Sequence, residues 1–512
     1  MRILIFHGYL LRGTGSNIYN ANLARALRKL GHEVHLFCQD GAPAELEWVD
    51  AVGGWGSDGL EIIDLGREPG TGSVTVYRPP IGQILPVYVE DPYEDFEARA
   101  YPGLTDDVIE RYVEVNVDAV RDVLTEVGPP DVALANHLIM GPVILRRAGL
   151  DGYVVKNHGS DLEYTIKPHP RFVPWAAEGL AAAGAVLVGS AHTARSLWAA
   201  IPDLDLEAVT GLGPPGVEPE EFLPIEPSEA GGRLLALADR FRALGSEGRG
   251  PMGRDPIRAA EALDRMADAE GPRVAFVGKL IVSKGVDLLV AAWPLVHRDN
   301  PGAELVIAGF GEYAESLEGL IGALGEGDLG AALEIAGRGR AAEGGDPDPL
   351  AILTGFLSDH PEGYRQDAID SAGTIHLTGR LEHDEVAGLL PACDAMVVPS
   401  TFPEAFGMVA AEGAISGILP VCARHSGLAE VTAVLADDVP EIADLISFEV
   451  GPGAVGEIAS CLNGWLEIER GERVSLGRSL SESADRHWSW EGVARDLIAA
   501  SRGDLRPVVT DQ

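Results

Sequence analysis

Two lysines and two glutamates are the residues whose types and spacing could do chemistry in this chain. The chain has only five lysines, Lys29, Lys156, Lys167, Lys279 and Lys284. Two of them fall within six residues, in Gly278-Lys279-Leu280-Ile281-Val282-Ser283-Lys284-Gly285, after the apolar run Arg273 to Val277 and before a helical pattern. Two ammonium groups at the carboxyl end of a strand suit a diphosphate, whose charge they would neutralise as it departs. Glu404 and Glu412 stand eight positions apart in Pro399-Ser400-Thr401-Phe402-Pro403-Glu404-Ala405-Phe406-Gly407-Met408-Val409-Ala410-Ala411-Glu412-Gly413. A carboxylate that accepts two hydroxyl hydrogen bonds reads vicinal diols, in a sugar or a ribose. Gly407 and Met408 can offer backbone N–H groups at a helix N-terminus, where anions are favoured. Taken singly, each of these charges is also what an ordinary solvated surface displays.

The elements around them are those of an α/β protein. Val397-Val398 ends a buried strand, Pro399 and Pro403 start a loop, a helix follows from Phe406, Gly417 closes it, and Ile418 to Cys422 forms the next strand. In such strand–loop–helix–strand units ligands sit at the carboxyl ends of the strands. The N-terminus opens the same way. Ile3 to Phe6 is a strand, Gly13-Thr14-Gly15-Ser16-Asn17 a glycine-rich turn, Leu23, Ala26, Leu27 and Leu30 one helix face, and Glu33 to Phe37 a second strand. Gln39-Asp40 after that strand leaves a dinucleotide site open. Strands are also expected near 61–65 and 74–77, with a helix over 105–127. Three further strands end in polar clusters, at Asn136-His137, Asn157-His158-Gly159-Ser160-Asp161 and Ser190-Ala191-His192.

Length and composition set bounds. A chain of 512 residues is too long for one core, so two domains are expected. The formal charge of −40 argues against nucleic acid as a partner and against a polybasic membrane anchor. The four cysteines are scattered, as in a reduced protein. Met1-Arg2 leads straight into a strand, so no leader peptide is expected, and the most apolar stretch, 179–191, is too short to cross a bilayer. Asp203-Leu204-Asp205 and Asp346-Pro347-Asp348 read as exposed turns rather than metal ligands.

The phrase Pro-Ser-x-x-x-Glu-x-Phe-Gly-x-x-x-x-Glu-Gly, followed by Gly-x-x-Pro-Val and Ser-Gly-x-x-Glu-Val, closely resembles the nucleotide-sugar site of retaining GT-B glycosyltransferases of family 4. Ser426 departs from that pattern, standing where the family usually has the first glycine of a pair. Lys279 stands where Arg is usual, keeping the charge and losing the bidentate geometry. The resemblance implies two Rossmann-like domains facing across a cleft, with a C-terminal helix crossing back to the N-terminal domain. The expected division is 1–215 with a crossover helix at about 486–502, and 216–485, with insertions at about 226–271 and 322–372. The first insertion is read as partly helical and mobile.

It further implies a metal-independent retaining transfer from a nucleoside-diphosphate sugar, the substrate, with no cofactor. Lys279, Lys284, Glu404 and His158 would act at the reacting centre. Gly15, Gly278, Arg380, Phe406, Gly407, Met408 and Glu412 would bind the donor, and His137 and Asp161 would lie on the acceptor side. The acceptor would be a saccharide, lipid or small molecule, and the protein cytoplasmic, with peripheral contact to the inner face of the membrane. Three other readings stay open: a nucleotide-sugar epimerase, a non-catalytic nucleotide-sugar-binding protein, and, from Gly13-x-Gly15 alone, an NAD-dependent dehydrogenase.

Overall fold

The computed structural model describes residues 1–13, 15–68, 70–88, 95–245, 248, 250 and 253–509. The chain forms two compact units, Met1–Gly216 with Trp488–Gln512, and Val217–His487.

The first unit is built on a nine-stranded sheet. Its strands are β1 (Arg2–Phe6), β2 (Glu33–Phe37), β3 (Ala51–Gly56), β4 (Gly59–Asp64), β5 (Ser73–Tyr77), β8 (Val132–Asn136), β9 (Tyr153–Lys156), β10 (Ala183–Val188) and β11 (Thr210–Leu212), while β6 (Ile84–Val87) and β7 (Glu97–Ala100) pair separately. The order is β11-β10-β9-β8-β1-β2-β5-β3-β4. All neighbours run parallel except the β3–β4 hairpin. Parallel strands must be covered on both faces, which is why β1 reads as an unbroken apolar run. The chain leaves β1 for β2 on one side and reaches β8 on the other, so the order reverses between β1 and β8. Such a switch point opens a crevice at the carboxyl edge. The strand ends at His7, Asn136 and Lys156 all lie on that edge.

The second unit has six parallel strands, β12 (Arg273–Val277), β13 (Glu304–Ala308), β14 (Ile375–Gly379), β15 (Ala395–Val398), β16 (Leu419–Ala423) and β17 (Ser447–Phe448). Their order is β14-β13-β12-β15-β16-β17. Here the reversal falls between β12 and β15, paired at Val274–Ala395 and Ala275–Met396. The lysine motif follows β12 and the glutamate motif follows β15, so topology alone brings together segments about 120 residues apart.

The two segments expected as insertions, 226–271 and 322–372, are largely helical where described. The first forms two helices, Ala230–Leu244 and Pro256–Asp268, that bury Leu234, Leu237, Phe241, Leu263 and Met266. Arg254 ties it to Glu385 through two hydrogen bonds of 2.9 and 2.7 Å. The second contributes the helices Leu329–Arg338, Ala351–Ser358 and Tyr364–Ser371, and the buried Tyr364 donates to the Ala291 carbonyl at 2.8 Å.

At the C-terminal end Arg486 to Trp488 finish a helix that began at Arg470, rather than starting a new one. Ser489 caps the following helix, Trp490–Ala500, by accepting the Gly492 N–H. That helix buries Trp490, Val493, Ala494, Leu497 and Ala500 in the core beneath β1 and the helix Gly15–Lys29. Gly216 lets the backbone pass Trp490, because a Cβ there would come within 2.6 Å of the indole. No described helix is long and apolar enough to cross a membrane.

Candidate active site

In the second unit, β12 delivers Gly278 and Lys279 to the carboxyl edge. Gly278 donates its N–H to the Ala308 carbonyl at 3.0 Å, and Lys279 is half-buried beside it. The chain then makes a single 3₁₀ turn, Val282–Lys284, closed by Gly285 in the left-handed region at φ 63°. A Cβ at Gly285 would collide with the Pro399 carbonyl, so this glycine lets the two loops meet. They are joined by Thr401 N–H donating to Ser283 O at 2.9 Å.

Across that contact the Lys284 ammonium donates to Glu404 Oε1 at 2.5 Å, and the Ser400 hydroxyl donates to the same oxygen at 2.6 Å. Both side chains remain partly exposed. Burial alone would push the Glu404 carboxyl up. The Lys284 charge outweighs it, with hydrogen bonds from Lys284 and Ser400 and the nearby His425, and holds Glu404 below the usual carboxylate range. Glu404 is thus a fixed anion with one oxygen already engaged and the other available to hydroxyl donors.

Gly407 sits at φ 116° and starts the helix Met408–Ile415. Its conformation aims the first-turn N–H groups of Met408 and Val409 at the carboxyl edge. Phe406 is buried behind it. Glu412 is 6% exposed on that helix, and His383 Nε2 lies 3.1 Å from its Oε1. Burial would push His383 down. The hydrogen bond and charge of Glu412, with Glu221 and Asp384, more than offset this and raise it. Arg380, after β14, is paired with Glu382 at 3.1 Å and lies over the Phe310 ring. One second-unit edge therefore holds Lys279, Lys284, Glu404, Gly407, Met408, Glu412 and Arg380.

The first unit gathers a different set. Asn136, at the end of β8, accepts from His158 Nε2 at 2.8 Å and donates to Asn20 at 2.8 Å and to the Phe6 carbonyl at 3.1 Å. Because Nε2 of His158 donates, its Nδ1 is left as an acceptor. Burial first, then His137, Lys156 and His7, hold His158 well below its ordinary value, so it is neutral. His7 is pushed down to about 3, by burial and then by His137. Asp161 is fully buried and accepts the Leu138 N–H, leaving Oδ1 without a hydrogen bond. His137 is 2% exposed at φ 66°, with Nδ1 3.7 Å from that oxygen and neither ring nitrogen hydrogen-bonded among the described residues. The rings of Tyr88 and His158 lie 4.5 and 4.9 Å away. The structure thus places His137 and Asp161 beneath the surface, with His158 the half-buried member of the set. Gly15 is the exposed first residue of its helix, and Thr14 of the same turn lies outside the described residues.

Asp40 accepts the N–H groups of Leu11 at 3.1 Å and Ala42 at 3.0 Å. These bonds commit it to the backbone rather than to a ribose. Residues that sequence reasoning passed over include His383, His425 and Glu343, and Asn136 was named only as a polar strand end. Only Ser426 gave a signal, as a departure from the glycine pattern.

Residues 14–213 match the family model described as a glycosyl transferase 4-like domain, and residues 363–436 match glycosyl transferases group 1. A GDP-mannose-dependent alpha-(1-6)-phosphatidylinositol monomannoside mannosyltransferase of Mycobacterium tuberculosis is 26% identical over 256 residues, 49% of this chain and 52% of that protein. The chain therefore spans about half the length of that curated relative. Among solved structures, the catalytic domain of starch synthase IV from Arabidopsis thaliana, bound to ADP and acarbose, superposes with a TM-score of 0.60 at 13% identity, covering 98% of this chain and 99% of that one. Anabaena HepE in complex with UDP and glucose gives 0.53 at 16% identity, over 99% and 100%. At these identities the likeness is one of fold. With both domain matches and that fold in place, the chain belongs to the GT-B glycosyltransferases of the family 4 and group 1 kind.

Proposed function

We propose that the protein is a retaining, metal-independent glycosyltransferase that moves a sugar from a nucleoside-diphosphate sugar to an acceptor hydroxyl. The donor's nucleotide lies on the second unit, and the first unit supplies the acceptor side. Lys279 and Lys284 take up the charge of the departing diphosphate, Glu404 holds sugar hydroxyls, and Glu412 holds the ribose. Gly407 and Met408 face a phosphate oxygen, and Arg380 flanks the base. The acceptor oxygen forms a bond to the anomeric carbon on the face the diphosphate leaves. The broken bond's electron pair goes to the diphosphate, and the acceptor's proton passes to a phosphate oxygen.

The observation that carries this reading is the 2.5 Å pair of Lys284 and Glu404 at the switch point of the second sheet. It puts a cation for the leaving group next to an acceptor for hydroxyls, and Lys279 adds a second cation, doing the work otherwise given to a divalent ion. Relatives named for GDP-mannose and structures holding UDP support the donor class. The test is a donor panel of UDP-glucose, UDP-N-acetylglucosamine, ADP-glucose and GDP-mannose with EDTA present. Binding is read as a rise in unfolding temperature and the product's anomeric configuration by NMR. An inverted anomer, or a strict requirement for Mn²⁺, would overturn the reading.

A further inference from the structure

The residue pair His425-Ser426 closes a ring of hydrogen bonds around Glu404. The Glu404 N–H donates to Ser426 Oγ at 2.8 Å, and Ser426 Oγ lies 3.0 Å from His425 Nδ1. His425 Nε2 lies 2.7 Å from the Ser400 carbonyl, and Ser400 Oγ donates to Glu404 Oε1. A carbonyl can only accept, so His425 carries a proton on Nε2, and in the neutral imidazole Nδ1 accepts from the Ser426 hydroxyl. With the imidazole neutral, every donor in the ring has one acceptor. The Gly427 N–H also donates to the Glu404 carbonyl at 3.0 Å, so residues 425–427 grip this glutamate from both backbone sides.

Ser426 holds its place at a cost. Its φ is 51°, in the left-handed region that a side chain rarely adopts, and only His137 and Met140 share that sign among the described non-glycine residues. Glycine would occupy this backbone without strain. A serine kept there supplies what glycine cannot, a hydroxyl between Glu404 and His425.

We infer that Ser426 and His425 are positioning residues for Glu404, fixing the direction of its carboxylate through the hydroxyl that replaces a glycine. The inference rests on the reading of Glu404 as the holder of donor sugar hydroxyls. Its chemical consequence is selective. Loss of the ring loosens the grip on the sugar and leaves the nucleotide contacts intact.

The test compares Ser426→Gly, Ser426→Ala, His425→Asn and Glu404→Ala with the unaltered protein. Binding of UDP-glucose, ADP-glucose and GDP-mannose is measured beside that of UDP, ADP and GDP. Ser426→Gly is expected to be at least as heat-stable as the parent, because it relieves the strained conformation. It should lose roughly three- to tenfold in kcat/KM and in nucleotide-sugar affinity, the scale of one neutral hydrogen bond, with diphosphate affinity unchanged. His425→Asn should lose as much. Ser426→Ala keeps the strain and should fall below Ser426→Gly in stability. Full activity in Ser426→Gly while Glu404→Ala is inactive would overturn this inference alone. A fully active Glu404→Ala would overturn both it and the functional reading beneath it. Equal losses for the sugar-bearing and bare nucleotides would also refute it.

Discussion

His383 Nε2 lies 3.1 Å from Glu412 Oε1, and this pair fixes how the second glutamate can be used. One carboxylate oxygen is taken by the imidazole, so Oε2 is the one left for other donors. Glu221, 3.7 Å from Nδ1, and Asp384 surround the ring with further negative charge.

The raised pKa of His383 has a stability consequence with a definite sign. A folded-state value above 6.5 means the native protein binds the proton more tightly than the unfolded chain does. The stabilisation is fully present below about pH 6.5, the ordinary unfolded value, and disappears as pH rises through the folded value. His383→Gln should therefore destabilise the protein most in mildly acidic solution and converge on the parent above neutrality. Thermal unfolding across a pH series checks this, and a gap between the two proteins that widened with rising pH would refute it.

Lys284→Ala should lower kcat roughly 10²–10³-fold, the range seen when one preorganised charge-stabilising contact is removed. The fold should persist, because Lys284 is partly exposed and lies in a loop. Circular dichroism and steady-state transfer assays together check this. Near-normal turnover would remove Lys284 from the reacting centre.

Glu343, in the second insertion, accepts the N–H of Val282, the first residue of the turn that carries Lys284. A carboxylate on such an orphan donor acts as a cap supplied from far along the chain. It also adds to the burial that pushes the neighbouring Asp287 carboxyl up to about 7. Glu343→Ala should weaken binding of nucleoside diphosphates roughly tenfold, as for loss of a charged hydrogen bond, while Glu343→Gln keeps most of it. Titration calorimetry with UDP, ADP and GDP measures the difference. Tighter binding in Glu343→Ala would mean that the carboxylate competes with phosphate instead.

Trp490 is 4% exposed and packs against Tyr19 with ring centroids 5.5 Å apart. Its removal in Trp490→Ala should cost the first unit about 3–5 kcal/mol. Hydrogen exchange resolved by unit should show faster opening around β1 and the helix Gly15–Lys29, with the second unit unaffected.

The strands and the lysine and glutamate loops were legible in the sequence because each sits on a strong local signal, whereas the order of the strands in each sheet was not. Apolar runs stop at Pro399 or Gly278, and helices start at Gly407 or Gly285. Element boundaries followed the same logic, with 61–65 and 74–77 emerging as Gly59–Asp64 and Ser73–Tyr77. What escaped were partnerships between distant side chains. Nothing local in His383 points to Glu412, 29 positions on, and nothing in Glu343 points to Val282, 61 positions back. The first expected insertion showed helical patches in its sequence, but not that its two amphipathic faces pack on each other or that Arg254 pairs with the 5%-exposed Glu385. Composition does not reveal a tertiary partner. His137 read as a polar strand end, but its left-handed backbone turns the ring inward among Tyr9 and Tyr88.

Because the helix Trp490–Ala500 belongs to the first unit's core, the order of synthesis and the order of completion are reversed. A nascent chain exposes β1 and the helix Gly15–Lys29 early, and their apolar cover is translated only after residue 487. The later-made unit can close first, while the earlier-made one waits with an open seam, a window in which aggregation competes with folding.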